Sequence, residues 1–183
     1  GSGMIKMNSN KNQITSIDEN LLNFTVWSIL ILDNNDLLIG TSSGINHYRN
    51  GVISEFEFND SLPWPRVSNM FLDSEKKLWI GTRDGILVVH NDKIVKLPKP
   101  LKSEVKEVKS FTEVGGKVWM SSNSGLYSYN HQDSTVQHFS KKNGTLPDNY
   151  IFCLDHDLSG NLWLGTEDGV IKFNPETKSY RQI

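Results

Sequence analysis

The chain has 183 residues, and its 19 Lys and Arg against 21 Asp and Glu give a formal net charge of −2. That length suffices for one domain with a sizeable core. The balanced charge lacks the basic excess that nucleic acids and anionic membranes select, so we expect neither as a direct partner. A single cysteine, Cys153, excludes an internal disulfide and a cysteine-based metal cluster.

The first twelve residues are predicted to lie outside the fold. Gly1-Ser2-Gly3-Met4 resembles the remnant of an expression vector, and residues 5–12 are polar. Because this leader lacks the apolar core of a signal peptide, either the protein is cytoplasmic or its export signal lies upstream. The folded domain is predicted over residues 13–183, and residues 13–18 are predicted to add an outer strand.

One motif recurs four times along the chain. Its copies are Leu37-Leu38-Ile39-Gly40-Thr41, Leu78-Trp79-Ile80-Gly81-Thr82, Val118-Trp119-Met120-Ser121-Ser122 and Leu162-Trp163-Leu164-Gly165-Thr166, and successive copies are 41, 40 and 44 residues apart. An acidic residue precedes each copy, namely Asp33, Asp73, Glu113 and Asp157, and a glycine follows each, namely Gly44, Gly85, Gly125 and Gly169. A period of about 40 residues is typical of repeat architectures.

The second copy indicates what each repeat contains. Apolar residues 67–72, a polar turn at 73–77, the motif at 78–82, a turn at 83–84 and apolar residues 85–90 are followed by an alternating stretch at 93–97. Four short strands joined by tight turns make a propeller blade. We therefore predict an all-β β-propeller of four four-stranded antiparallel blades, at about 24–60, 65–98, 104–140 and 149–183. The lysine-rich residues 93–109 are predicted to form a solvated face.

The repeated residues have structural roles in this prediction. Trp79, Trp119 and Trp163 are expected to pack between blades. Gly85 and Gly169 are expected at turn positions of positive φ, which glycine adopts without steric cost. Cys153, within an apolar run, is expected to be buried.

The four motif copies resemble the two-component regulator propeller repeat. The segment Asp157-Leu158-Ser159-Gly160-Asn161 before Leu162 and the linker Gly144-Thr145-Leu146-Pro147-Asp148-Asn149-Tyr150 are also similar to that family. The resemblance covers about residues 24–183. It implies a periplasmic sensing module of a hybrid histidine kinase that recognises a ligand, often a glycan fragment. The kinase itself is not in this chain, so the resemblance implies a binding module without catalysis.

Candidate site residues come from loops that share one face of the propeller. Because strands alternate in direction, the linkers between blades lie on the same side as the turn after each second strand. Variable polar loops on a constant scaffold are the usual location of binding sites. An exposed aromatic ring beside charged and amide groups suits a sugar and equally suits a protein contact. The candidates are Trp64, Arg66, Arg83, Asp84, Asn149, Tyr150, Glu167 and Asp168.

Catalytic and metal-binding patterns were not found. The histidines His47, His90, His131, His138 and His156 occupy unlike places in their repeats, and no ligand spacing joins them, so no metal or cofactor is expected. Two alternatives stay open: a streptogramin-lyase-like propeller enzyme and a scaffold for protein partners.

The two terminal blades of the predicted propeller each lack a neighbour on one side. An open arc of four blades would expose an apolar face at each end. We expect a fragment of a larger propeller or closure through self-association, in preference to a four-bladed ring. Expected partners are an oligosaccharide or other small ligand, another propeller segment, or a second copy.

Overall fold

Eighteen strands make up nearly all the regular structure in the computed structural model, which describes residues 4–8, 13–17, 20–32 and 36–183. The first ten are β1 (Met4–Asn8), β2 (Gln13–Ile17), β3 (Val26–Ile31), β4 (Leu37–Thr41), β5 (Gly44–Arg49), β6 (Val52–Glu55), β7 (Val67–Leu72), β8 (Leu78–Thr82), β9 (Ile86–His90) and β10 (Lys93–Ile94). The others are β11 (Ser110–Val114), β12 (Lys117–Ser122), β13 (Gly125–Asn130), β14 (Val136–Phe139), β15 (Ile151–His156), β16 (Leu162–Thr166), β17 (Gly169–Asn174) and β18 (Ser179–Gln182). A 3₁₀ turn (Asn59–Ser61) and a short helix α1 (Lys99–Ser103) lie in linkers between blades.

The predicted propeller blades are confirmed. Strands β3–β6, β7–β10, β11–β14 and β15–β18 form four antiparallel sheets in which consecutive strands pair. The register repeats as well, since the motif's first residue always faces the same position of the next strand: Leu37 faces Tyr48, Leu78 faces Val89, Val118 faces Tyr129 and Leu162 faces Phe173. Residues of different blades can therefore be compared position by position.

The blades are arranged side by side in chain order. The first strand of each blade packs against the first strand of the next, so β3, β7, β11 and β15 line the inner side. The arc is open, and apolar side chains are therefore exposed at both of its ends. They are Ile29 and Ile31 on the first blade, and Phe152 and Trp163 on the fourth.

The turn after each motif has the expected glycine geometry. Gly85 has φ of 147° and Gly169 has φ of 110°. The hydroxyl that ends the motif donates to the glycine carbonyl at 2.9–3.1 Å in all four blades. This explains why Ser122 can replace threonine in the third copy, because serine keeps the hydroxyl that closes the turn.

Two of the three motif tryptophans pack between blades as predicted. Trp79 contacts Phe111 and Tyr129 of the third blade, and Trp119 contacts Phe173 of the fourth. The prediction for Trp163 is wrong, since 36% of it is exposed. No other described part of the chain covers that side of the fourth blade. Cys153, in the neighbouring strand β15, is exposed for the same reason, and the expectation that it is buried is wrong.

The acidic residue before the motif caps the turn and holds the tryptophan. Asp73 accepts hydrogen bonds from the Lys77 backbone amide at 2.8 Å and from the Trp79 indole at 2.7 Å. Asp157 does the same for Asn161 and for Trp163. Glu113 instead bonds Ser74 of the preceding blade. Asp33 lies outside the described residues.

Residues 93–109 differ from the prediction. Strand β10 ends at Ile94 instead of running to residue 97, and α1 follows. Pro98 and Pro100 cannot donate to a strand ladder, which favours leaving the sheet here. The segment is not a solvated face, because Leu101, Val105 and Val108 are fully buried in the core between the second and third blades.

The N-terminal residues form a separate hairpin. Strand β2 begins at residue 13 as predicted, but it pairs with β1 and does not extend a blade. The segment predicted as a polar leader therefore contains a strand from Met4 to Asn8.

Candidate ligand-binding surface

The linker between the first two blades presents a tryptophan on the predicted face. Pro63 and Pro65 flank Trp64, and 40% of Trp64 is exposed. The Arg83 guanidinium, in the turn after β8, lies 5.5 Å from the centre of the Trp64 ring. A cation over an exposed indole at this distance contributes about 0.5–1 kcal/mol. The linker and the turn are thus brought together as the strand directions predicted.

A second tryptophan–arginine pair is formed by Arg66, two residues after Trp64 in the same linker. The Arg66 guanidinium lies 4.4 Å from the centre of the Trp27 ring. Trp27 is half exposed, and its indole donates to the Ser42 hydroxyl at 2.8 Å. Sequence reasoning missed Trp27. A β-bulge between Val26 and Ser28 makes it the extra residue of β3, which carries its ring out to this face.

Glu107 forms ion pairs with two basic side chains next to these rings. Glu107, before the third blade, lies 3.3 Å from Arg83 Nε and 3.0 Å from Lys109 Nζ. The hydrogen bond from Lys109, with the charges of Lys109, Arg83 and Arg66, lowers the pKa of Glu107. Sequence reasoning missed this residue too. We call Trp27, Trp64, Arg66, Arg83 and Glu107 the tryptophan–arginine surface.

Asp84 borders this surface. Its backbone carbonyl accepts a hydrogen bond from Lys106 Nζ at 2.7 Å, and its carboxylate is 3.9 Å from the same group. Four of the eight predicted site residues, Trp64, Arg66, Arg83 and Asp84, therefore lie within one cluster.

The other four lie in the corresponding loops of the fourth blade. Asn149 accepts a hydrogen bond from the Lys141 amide at 2.7 Å, and Tyr150 is exposed beside it. The Asp168 carbonyl accepts from Gln182 at 2.9 Å, and Glu167 is exposed in the same turn. Among the described residues, no hydrogen bond, ion pair or ring contact joins these four to the tryptophan–arginine surface.

The surface exposes groups of the kinds that commonly make recognition contacts. Two half-exposed indole rings offer flat apolar area, and two guanidinium groups offer planar arrays of donors. Arg66 makes no ion pair with any described carboxylate and is partly exposed. Within the described ranges, no group of three His, Cys, Asp or Glu side chains is arranged to hold a metal ion.

Residues 61–84 match the family model of the two-component regulator propeller. The chain carries a two-component regulator propeller repeat. The matched repeat runs from the linker that holds Trp64 and Arg66 to the turn that holds Arg83 and Asp84. The other three blades share its motif, its register and its turn geometry.

Known proteins resemble the chain at both the sequence and the fold level. Histidine kinase P4 of Formosa agariphila is 28% identical over an alignment of 129 residues that covers 65% of this chain and 9% of that protein. The extracellular domain described for the hybrid two-component system BT3049 of B. thetaiotaomicron has a TM-score of 0.75 and 27% identity, covering 89% of this chain and 23% of that one. The chain thus spans a small part of each.

A third comparison concerns fold alone. A catalytically inactive virginiamycin B lyase from Staphylococcus aureus has a TM-score of 0.64 at 16% identity, with 87% of this chain and 55% of that one covered.

No helix among the described residues is long and apolar enough to span a membrane.

Proposed function

We propose that this chain is part of the extracytoplasmic sensing propeller of a two-component regulator, and that it binds its ligand at the tryptophan–arginine surface. The observation that carries the proposal is the pairing of Arg66 and Arg83, both in the matched repeat, with Trp27 of the first blade and with Trp64. The histidine kinase and the extracellular domain named above support the sensing role. The module acts by binding, and the kinase reaction belongs to other parts of such systems.

The surface favours an oligosaccharide as the ligand. Indole rings stack on the apolar C–H faces of sugars, and guanidinium groups donate to their oxygens. Glu107 orients Arg83 over the Trp64 ring, and 40% of Trp64 remains exposed for contact with a ligand. The residues Asn149, Tyr150, Glu167 and Asp168 provide a second set of loops for a longer ligand on the same side.

The test is a thermal-shift screen of the chain against an oligosaccharide panel, followed by calorimetric titration of any hit. Trp64→Ala and Trp27→Ala should each weaken binding several-fold, because a lost aromatic stack costs about 1 kcal/mol or more. Tyr180→Ala is the matched control, since Tyr180 is an equally exposed aromatic residue on the outer strand β18. Equal effects of all three variants would contradict the assignment of the site.

The screen also separates the two alternatives. A streptogramin-lyase-like enzyme, which shares only the fold, would turn over a substrate, whereas the proposed sensor binds saturably and leaves its ligand unchanged. A scaffold for protein partners would bind no oligosaccharide from the panel.

A further inference from the structure

The N-terminal hairpin, formed by β1 and β2, has the sequence of the outer half of a blade. Met4-Ile5-Lys6-Met7-Asn8 corresponds to Val170-Ile171-Lys172-Phe173-Asn174, the third strand of the fourth blade, with Ile, Lys and Asn identical. Both strands pair with the next strand in the same register: Met7 faces Ile14 as Phe173 faces Tyr180, and Asn8 faces Gln13 as Asn174 faces Ser179.

The hairpin turns one face towards the first blade and leaves the other face exposed. In the fourth blade, Ile171 and Phe173 point back to the preceding blade and are buried against it. Their counterparts Ile5 and Met7 are 69% and 67% exposed, whereas Met4 is buried on the opposite side, towards the first blade. The hairpin therefore lies where the outer two strands of a blade before the first one would lie.

Strand β1 has a free edge on its inner side. The equivalent strand β17 pairs with β16 on one side and β18 on the other, whereas β1 pairs with β2 alone among the residues that the structure describes. Unpaired amides and carbonyls along an edge strand are a template for the addition of another strand.

An apolar cavity of about 400 Å³ lies between the hairpin and the first blade. Its walls on the first blade include Ile29, Leu37 and Tyr48. These positions correspond to Phe111, Val118 and Tyr129, which form a buried cluster with Trp79. They correspond equally to Leu154, Leu162 and Phe173, which surround Trp119. The cavity thus has the walls of an interblade tryptophan pocket.

We propose that the N-terminal hairpin is the outer half of a further blade, and that its inner half is a β-hairpin of the same repeat type. This inner hairpin adds to the free edge of β1 and places its motif tryptophan in the cavity. A second folded copy of this chain is not the occupant, because each of its four inner strand pairs already has its own outer strands. The partner is a polypeptide segment with an apolar strand, an Asp turn and a Leu-Trp-x-Gly-Thr strand.

A synthetic peptide of residues 67–82, which has this sequence, is the probe. Added to the full chain, it should slow amide hydrogen exchange in β1 and leave exchange unchanged in β18, an edge strand of the fourth blade. The Trp79→Ala peptide should bind at least about tenfold more weakly, as expected for a tryptophan anchor in a closed pocket. Protection of β18 to the same extent would overturn the proposal, because it would indicate unselective edge pairing.

Two matched variants of the chain test the cavity. Ile29→Glu places a charge in the cavity wall and should abolish peptide binding. Val170→Glu places the same charge at a similarly exposed residue of the opposite end and should leave binding unchanged. Equal affinities of the two variants would contradict the proposed location.

A fusion removes the dependence on a soluble peptide. Residues 67–85 are joined directly before Met4, so that Gly85 precedes Met4 as Gly169 precedes Val170 in the fourth blade. This fusion should unfold at a higher temperature than the same fusion carrying Trp→Ala in the added segment. If neither the peptide nor the fusion protects β1, the proposal is wrong.

Discussion

The same tryptophan position has two different environments in this protein. Trp79 and Trp119 are buried between blades, while Trp163 lies under the Lys172 ammonium group, 5.1 Å from the ring centre, at the open end. The indoles of Trp79 and Trp163 nevertheless donate the same kind of hydrogen bond to the aspartate of the preceding turn. Neighbouring blades, and not the motif itself, thus determine how much each tryptophan stabilises the fold.

Trp79→Ala should lower the free energy of unfolding by about 3–5 kcal/mol, as the loss of a fully buried aromatic side chain does. Trp163→Ala should lower it by roughly 1–2 kcal/mol, because part of that ring is already in water. Urea denaturation of both variants measures the difference. Equal losses would mean that the open side of the fourth blade is covered in solution.

Gly85 has a backbone conformation that favours glycine over other residues. With φ at 147°, a valine there is strained, although an added Cβ would meet nothing nearer than Pro63 at 3.6 Å. Gly85→Val should cost about 1–3 kcal/mol of stability through backbone strain alone. Asp84→Val in the same turn is the control, because its φ is not positive. Comparable melting temperatures for the two variants would contradict this explanation.

The blades could be predicted because four independent features coincide at one period, each with a local cause such as the turn glycine or the capping Asp73. The site could be predicted only in part. Trp64 and Arg83 follow from strand direction, but Trp27 depends on a bulge in β3, and Glu107 comes from a linker that the proline residues bend away from the sheet. The exposure of Cys153 and Trp163 depends on neighbours that no repeat motif specifies.

At the scale of the blades, one histidine joins two sheets. The His131 side chain is 4% exposed, and its Nε2 lies 3.5 Å from Asp73 of the second blade and 3.4 Å from Glu113 of its own. Its Nδ1 lies 3.5 Å from Glu75 and Lys77, and Tyr129 packs edge-on against the ring. The turns of the two blades meet around this imidazole.

His131→Ala should destabilise the protein by about 1–3 kcal/mol, because it leaves the buried carboxylate of Asp73 without this neighbour and opens a gap between blades. His90→Ala is the control, since His90 lies at the end of β9 and is partly exposed. Chemical denaturation of both variants is the measurement. A loss no larger for His131→Ala than for His90→Ala would show that the imidazole does not hold the blades together.

The Glu107 ion pairs link the second blade to the linker before the third. Because its pKa is lowered in the folded state, the carboxylate contributes stability above its unfolded pKa of about 4.3, and this contribution is lost as pH falls through the folded value. Glu107→Gln should therefore lower the melting temperature at pH 7, and this difference should shrink as the pH falls through the lowered pKa of Glu107. Glu104→Gln, at an exposed position, is the control. A difference between Glu107→Gln and the wild type that persists at low pH would contradict the ionic origin.

At the scale of the whole molecule, the open arc leaves two unlike end faces. The first-blade end exposes Ile29 and Ile31 beside the N-terminal hairpin, and the fourth-blade end exposes Phe152, Trp163 and Val170. Within the arc, the corresponding surfaces are buried against the next blade. Apolar area on both ends favours association over an isolated monomer.

We expect the purified chain to associate in a concentration-dependent manner, as measured by light scattering combined with size-exclusion chromatography. Val170→Lys should reduce this association, because it places a charge in the middle of the fourth-blade end, whereas Tyr180→Lys, on the outer strand of the same blade, should not. The contrast depends on position alone, since both residues are exposed and both variants gain the same charge. A compact monomer at every concentration would show that the arc closes on itself, and Trp163 would then be protected from solvent quenchers.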